Sequence, residues 1–215
     1  MKIGVFDSGI GGKHVAGSLK KDFPQHEIIY VNDSDNVPYG GRKELEIITL
    51  TDYAIQPLIM NQCQIIVLAC NTATAAAIEV LRGKYPSIQF IGLEPMVKSA
   101  ATITKSGTIG VCATPYTLQS DRYLSLKNKY AGNLSVLEPD CSKWAYMIEH
   151  NQIDDANIFE TVEKLCSKGA DVIVLACTHY HWIKDDILKA VGEKAIVLDP
   201  SEAISRRVNQ LLSDN

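Results

Sequence analysis

Two cysteines close the same apolar phrase in the two halves of the chain. Residues 65–74 read IIVLACNTAT and residues 172–181 read VIVLACTHYH, and Ile66 to Cys70 is identical to Ile173 to Cys177. Each cysteine precedes residues suited to a helix start, Asn71 and Thr72 in one copy, Thr178 and His179 in the other. A helix N-terminus lowers the pKa of a nearby thiol and offers free backbone N–H groups to an anion. A thiolate so placed can take a proton from carbon, while a second thiol delivers one to the opposite face. Two equivalent acid/bases of this kind suit the inversion of a stereocentre, and exchanging their roles runs the reaction backwards.

Other uses of cysteine fit less well. A phosphatase loop wants an arginine shortly after its cysteine, where this chain has Ala76 and Ile183. A cysteine–histidine hydrolase needs one thiol, not two equivalent ones, and His179 is too close in sequence to Cys177 to act as a separate general base. Two cysteines and a histidine are too few for a structural zinc site, and the six cysteines contain no CxxC pair. Cys63, Cys112, Cys141 and Cys166 read as small buried hydrophobes.

Thiols in matching places need matching scaffolds. Short β-branched runs recur at Ile3–Phe6, Ile28–Val31, Ile65–Ala69, Phe90–Leu93, Ile109–Val111, Leu134–Leu137, Val172–Ala176 and Ile196–Leu198. The windows Glu44–Asn61, Ala73–Lys84, Thr117–Tyr130, Ile158–Lys168 and Ile183–Ala190 between them suit helices, with Pro57 predicting a break in the first. The alternation predicts an α/β fold with parallel sheets, and runs such as IIVLA fit strands buried on both faces.

The repeat is wider than one phrase. IGVFDSG at 3–9 matches IGVCATP at 109–115, and FIGLEP at 90–95 echoes AIVLDP at 195–200. Matched segments in one order at nearly one spacing indicate a duplicated unit. The expected domains are residues 1–96, joined by a C-terminal helix over 201–215, and residues 97–200. Ligands of parallel α/β sheets bind beyond the carboxyl ends of the strands. The duplication therefore predicts two similar domains about a pseudo-two-fold axis, with an active site in the cleft between them and the two thiols facing each other.

Further candidates follow other strands. DSGIGG (7–12) opens the first helix with glycines that allow close backbone approach, and Asp7 and Ser8 supply polar contacts; a helix cap is the plainer role for Asp7. The motif is not GxGxxG and carries no dinucleotide signature. NVPYG (36–40), with Tyr39 and Gly40, reads in isolation as a turn. Thr114 holds the place of Ser8 in the second half, and Glu149 reads by spacing as a solvated helix residue. With 46% hydrophobic residues and a net charge of −4, the chain has no basic stripe for nucleic acid. It has no apolar segment long enough for a membrane and no secretory signal, so the expected location is the cytoplasm.

FDSGIGG, VPYG, ACNTAT, GLEP, IGV-AT and ACTHY, in this order, resemble the glutamate racemase family of the cofactor-independent aspartate/glutamate racemase superfamily. The resemblance runs from Ile3 to about Pro200. It implies a two-domain fold, two catalytic cysteines, Cys70 and Cys177, and no pyridoxal phosphate or metal. Asp7 and Ser8 match pocket residues, with Asp7 supporting proton transfer at the first cysteine, and Tyr39 and Gly40 match substrate contacts. Asn71, Thr72 and Thr178 match groups that hold the charged ends of the amino acid. Thr114 remains a candidate substrate contact, His179 matches a histidine assisting the second cysteine, and Glu149 aligns with a glutamate near the site.

The implied reaction interconverts L- and D-glutamate for peptidoglycan synthesis, with a small amino acid as partner and a homodimer as assembly. An aspartate or broad-specificity racemase is the alternative. A non-catalytic regulatory homologue would be expected to have lost a cysteine, and both are present. The chain departs from the family pattern at Lys13-His14, at Ala176 and at His181, the last reading as a surface helix residue.

Overall fold

A computed structural model describes residues 1–213, without the side chains of Ala156, Ser201 and Glu202. The eight apolar runs form eight strands in two parallel sheets. β1 (Lys2–Asp7), β2 (Glu27–Asn32), β3 (Ile65–Leu68) and β4 (Gln89–Gly92) pair in the order β2-β1-β3-β4. β5 (Thr108–Ala113), β6 (Ser135–Leu137), β7 (Val172–Ala176) and β8 (Ile196–Leu198) pair in the order β6-β5-β7-β8. The duplication read from three sequence matches is thus a duplication of topology. β3 and β7 are buried along their whole length, as continuous apolar runs in a sheet covered on both faces must be.

The chain divides into two compact units: Met1–Glu94 with the stretch from Pro200 onward, and Pro95–Asp199. Both crossings fall at an acid–proline step, the echo of GLEP in VLDP. The first unit holds α1 (Gly12–Asp22), α2 (Glu44–Ala54), α3 (Gln56–Met60) and α4 (Asn71–Lys84). The second holds α5 (Val97–Ile103), α6 (Pro115–Gln119), α7 (Asp121–Ala131), α8 (Trp144–Glu149), α9 (Asp155–Ser167) and α10 (Lys184–Val191). α11 (Ser201–Ser213) returns to the first unit, where Ile204, Val208 and Leu211 join Ile3, Val5, Val15 and Leu19 in one core.

Pro57 does what its type predicts. The Glu44–Asn61 window breaks at Ile55, and the proline starts α3, where its missing N–H costs nothing. Two windows need correction. Thr117–Tyr130 is not one helix: extended Ser120 ends α6 and caps α7, its Oγ accepting the Tyr123 N–H at 3.2 Å. The window from Ile183 begins its α-helix only at Lys184, because Thr178–Ile183 winds into a tighter 3₁₀ turn.

Candidate active site

In sheets of this order the direction of strand addition reverses between β1 and β3, and again between β5 and β7. The crevice at such a switch point, beyond the carboxyl ends, is where parallel α/β sheets take ligands. Phe6 pairs with Leu68, which sets Ser8 level with Cys70; Ala113 pairs with Ala176, which sets Thr114 level with Cys177. Each cysteine therefore ends one of the two strands flanking a switch point.

In the first unit Cys70 is buried and is the N-cap of α4. Its sulfur accepts the Ala73 N–H at 3.4 Å, and the Ser8 hydroxyl lies 3.3 Å away. The Ala73 N–H favours negative charge on sulfur, and the Ser8 hydroxyl does the same when it donates to a thiolate. Asp7 is fully buried; its Oδ2 accepts the Gly9 N–H at 3.0 Å, so this contact forms inside the loop, ahead of α1. The Tyr30 hydroxyl donates to the Gly9 carbonyl at 2.6 Å and pins the same loop. A side chain at Gly12 would put its Cβ 2.4 Å from that of Asp7, so only glycine lets α1 start this close. Asn71 and Thr72 are buried beside the thiol. The Asn71 amide nitrogen and oxygen have no partner among the described residues, a costly state that a polar ligand would relieve.

Tyr39 and Gly40 lie buried in the loop after β2. The Tyr39 hydroxyl donates to Asp33 Oδ2 at 2.6 Å, and burial first, then the Asp33 carboxylate, pushes its pKa well up. Cys70 is among the groups whose charge Tyr39 senses, so the phenol and the thiol share one neighbourhood.

In the second unit Cys177 is half-buried and its side chain caps nothing. Its sulfur lies 3.8 Å from His179 Nδ1, and His179 Nε2 lies 2.7 Å from Glu149 Oε2, with both of those side chains at least nine-tenths buried. The spacing-based view of Glu149 as solvated is therefore wrong: α8 packs on the 3₁₀ turn and turns Glu149 inward. The fully buried Tyr180 ties these pieces together. Its hydroxyl donates to the Cys141 carbonyl at 3.1 Å and its ring meets Trp144 of α8 edge-on at 5.2 Å. Thr114 caps α6, its Oγ1 accepting the Thr117 N–H at 3.4 Å, and Thr178 is buried next to Cys177. His181 is half-buried in the 3₁₀ turn rather than on an exposed helix face.

Of the remaining cysteines, Cys63, Cys112 and Cys141 are buried as their reading predicts, whereas Cys166 is half-buried. A hydrogen bond with Cys112, then burial, pushes the Cys141 thiol up and keeps it protonated. Among the described residues no group of three or more His, Cys, Asp or Glu side chains is arranged to hold a metal ion. No helix among them is long and apolar enough to cross a membrane. Sequence reasoning missed Asp33 and Tyr30; the available signal for Asp33 was its place just past the carboxyl end of β2, beside the end of β1.

The chain is thus a parallel α/β unit written twice, with a thiol at the switch point of each sheet. The Asp/Glu/Hydantoin racemase family model matches residues 13–208, and the chain belongs to that family. The glutamate racemase of Herpetosiphon aurantiacus is 37% identical over 98% of this chain and 84% of its own length. That of Clostridium botulinum is 38% identical over 99% of this chain and 84% of its own. The crystal structure of the Francisella tularensis glutamate racemase in complex with D-glutamate superposes with a TM-score of 0.84. It is 30% identical and is matched over 100% of this chain and 81% of that one. Kinship of this depth makes the chain an enzyme, an isomerase.

Proposed function

We propose that the enzyme interconverts L- and D-glutamate with Cys70 and Cys177 as its two acid/bases. The observation that carries the reading is the recurrence of a thiol level with a hydroxyl residue at the switch point of both sheets. Its homologues are glutamate racemases over nearly the whole chain. One thiolate takes the α-proton as the other thiol protonates the opposite face, and the next turnover in reverse starts from the exchanged protonation states. Ser8 and the α4 N-terminus support charge on Cys70, while His179, held by Glu149, serves Cys177. Asn71, Thr72, Thr178 and the Tyr39–Gly40 segment hold the carboxylates and ammonium, and donors aimed at the α-carboxylate stabilise the carbanion-like transition state. D-Glutamate made this way serves peptidoglycan synthesis; a homodimer belongs to the same reading on the resemblance alone, and a cytoplasmic location goes with it.

The test is proton NMR in D₂O with L-glutamate, and separately L-aspartate, without added cofactor. Loss of the α-proton signal with decay of circular dichroism to zero is expected for glutamate. Preference for aspartate would move the assignment to the aspartate branch, and exchange with neither would overturn it.

A further inference from the structure

We propose that Asp33 is a positioning residue for the Tyr39–Gly40 segment, acting through the Tyr39 hydroxyl. This rests on the reading of that segment as a substrate contact. Residues 33–43 join β2 to α2 without regular structure, so something must fix them. The fixing point is one carboxylate. Asp33 Oδ2 accepts from the Tyr39 hydroxyl at 2.6 Å and Oδ1 from the Asn36 amide at 2.9 Å. The Asp33 backbone N–H donates to the Asp7 carbonyl at 3.2 Å, and its own carbonyl accepts the Asn36 N–H at 3.1 Å. One residue thus ties the loop both to itself and to the strand end that carries Asp7 and Ser8. Arg42 closes the far side, reaching the Asn36 carbonyl at 2.7 and 3.0 Å.

The chemistry separates this role from acid/base work. Both carboxylate oxygens are engaged within the loop, so Asp33 supplies geometry and not a proton-transfer site. A buried phenol needs a partner, and a carboxylate gives the short, charge-assisted kind. Because the phenol proton points at Asp33, the Tyr39 oxygen has only lone pairs left to offer, and the ring is locked by this bond and by packing on Phe6, centroid to centroid 6.4 Å. Loss of Asp33 therefore releases the segment while leaving Cys70 with Ser8 and α4 untouched.

The experiment compares glutamate racemisation by wild type, Asp33→Ala, Asp33→Asn, Tyr39→Phe and the Tyr39→Phe/Asp33→Ala pair. Asp33→Ala is expected to raise KM for both enantiomers about tenfold or more while kcat changes no more than about threefold. Asp33→Asn, which keeps an acceptor oxygen, should recover part of the loss. On the Tyr39→Phe background Asp33→Ala should add less than about twofold. Unchanged KM in Asp33→Ala, equal losses in kcat and KM terms, or full additivity with Tyr39→Phe each overturn the proposal. Should the alanine variant not fold, Asp33→Asn and Tyr39→Phe carry the test, and both must raise KM. A wild type inert toward glutamate sinks the functional reading itself; an active wild type with unmoved variants sinks this inference alone.

Discussion

Cys70 and Cys177 close the same IVLAC run in sheets of the same order, yet they are supported differently. Cys70 caps a regular 14-residue helix and has a serine hydroxyl 3.3 Å away. Cys177 opens a 3₁₀ turn, caps nothing, and has an imidazole 3.8 Å away that is backed by a buried carboxylate. Even the residues level with them diverge, since Ser8 contacts its thiol whereas the Thr114 hydroxyl donates to Thr117 Oγ1 at 3.0 Å. Duplication preserved the strand end and the thiol because the sheet fixes their position. What surrounds sulfur came from helices and loops, which were free to differ. Each unit thus surrounds its thiol with a different device.

The sharpest way to break the comparison removes one thiol at a time. Cys70→Ala and Cys177→Ala are each expected to lower racemisation by ~10³-fold or more. On the proposed two-base mechanism each variant should exchange the α-proton of only one enantiomer in D₂O, and the two variants should choose opposite enantiomers. Exchange of both enantiomers by either variant would mean that the two cysteines do not divide the faces between them.

Support residues come next. His179→Asn should cost about 10- to 100-fold in kcat and Glu149→Gln about tenfold, since each disrupts a buried relay. Ser8→Ala should cost less, about three- to tenfold, because one neutral hydrogen bond is lost and the helix N-terminus remains. The His179 and Glu149 variants should alter the pH profile of kcat more than the Ser8 variant does. Losses confined to KM would make all three binding groups instead.

How much of this was legible in the sequence follows from the same contrast. The strands, their duplication and both thiols could be read because apolar β-branched runs carry a strong local signal and repeat in order. The Ser120 break and the 3₁₀ turn after Cys177 were not, because a single capping hydroxyl or a tight turn is settled by tertiary packing. Glu149 looked solvated because YMIEHN has no periodicity that reveals which face α8 turns toward the turn bearing His179. Asp33 was passed over for the same reason: its partners lie across a loop, and loop geometry leaves little trace in residue type.

Two pairs of equivalent positions test the scaffold itself. Gly4 of β1 and Gly110 of β5 begin the repeated IGV phrase one residue in, and each faces a leucine from a covering helix. A Cβ at Gly4 would lie 2.8 Å from Leu58 Cδ1, and one at Gly110 would lie 2.9 Å from Leu165 Cδ1. Gly4→Ala and Gly110→Ala should destabilise by about 1–3 kcal/mol each, toward the low end because leucine methyls can shift. Denaturant melts should find the two costs within about 1 kcal/mol of each other; a wide gap would show that the duplicated sheets are packed to different tolerances.

The smallest expected effect concerns the position just before the third strand of each sheet, Gln64 in one unit and Asp171 in the other. Their backbones act alike: Gln64 N–H donates to Lys2 and Asp171 N–H to Thr108, and their carbonyls accept from Gln89 and Ile196. Only Asp171 adds a carboxylate, which takes the Thr104 hydroxyl at 2.5 Å and the Lys105 and Ser106 N–H groups at 2.7 and 2.8 Å. Burial raises its pKa, but the bonds from Thr104, Ser106 and Lys105 outweigh that and hold it at about 2. A folded pKa below the ordinary 3.8 stabilises the fold above that value, and the contribution is lost as pH falls toward about 2. Both tryptophans, Trp144 and Trp182, belong to the second unit, so their fluorescence reports its unfolding. Asp171→Asn should lower that unit's melting temperature by a few degrees near neutral pH, and the difference from wild type should shrink as the pH is lowered through this window. A difference that stays constant down to about pH 2 would assign the effect to shape alone and leave the two positions electrostatically equivalent.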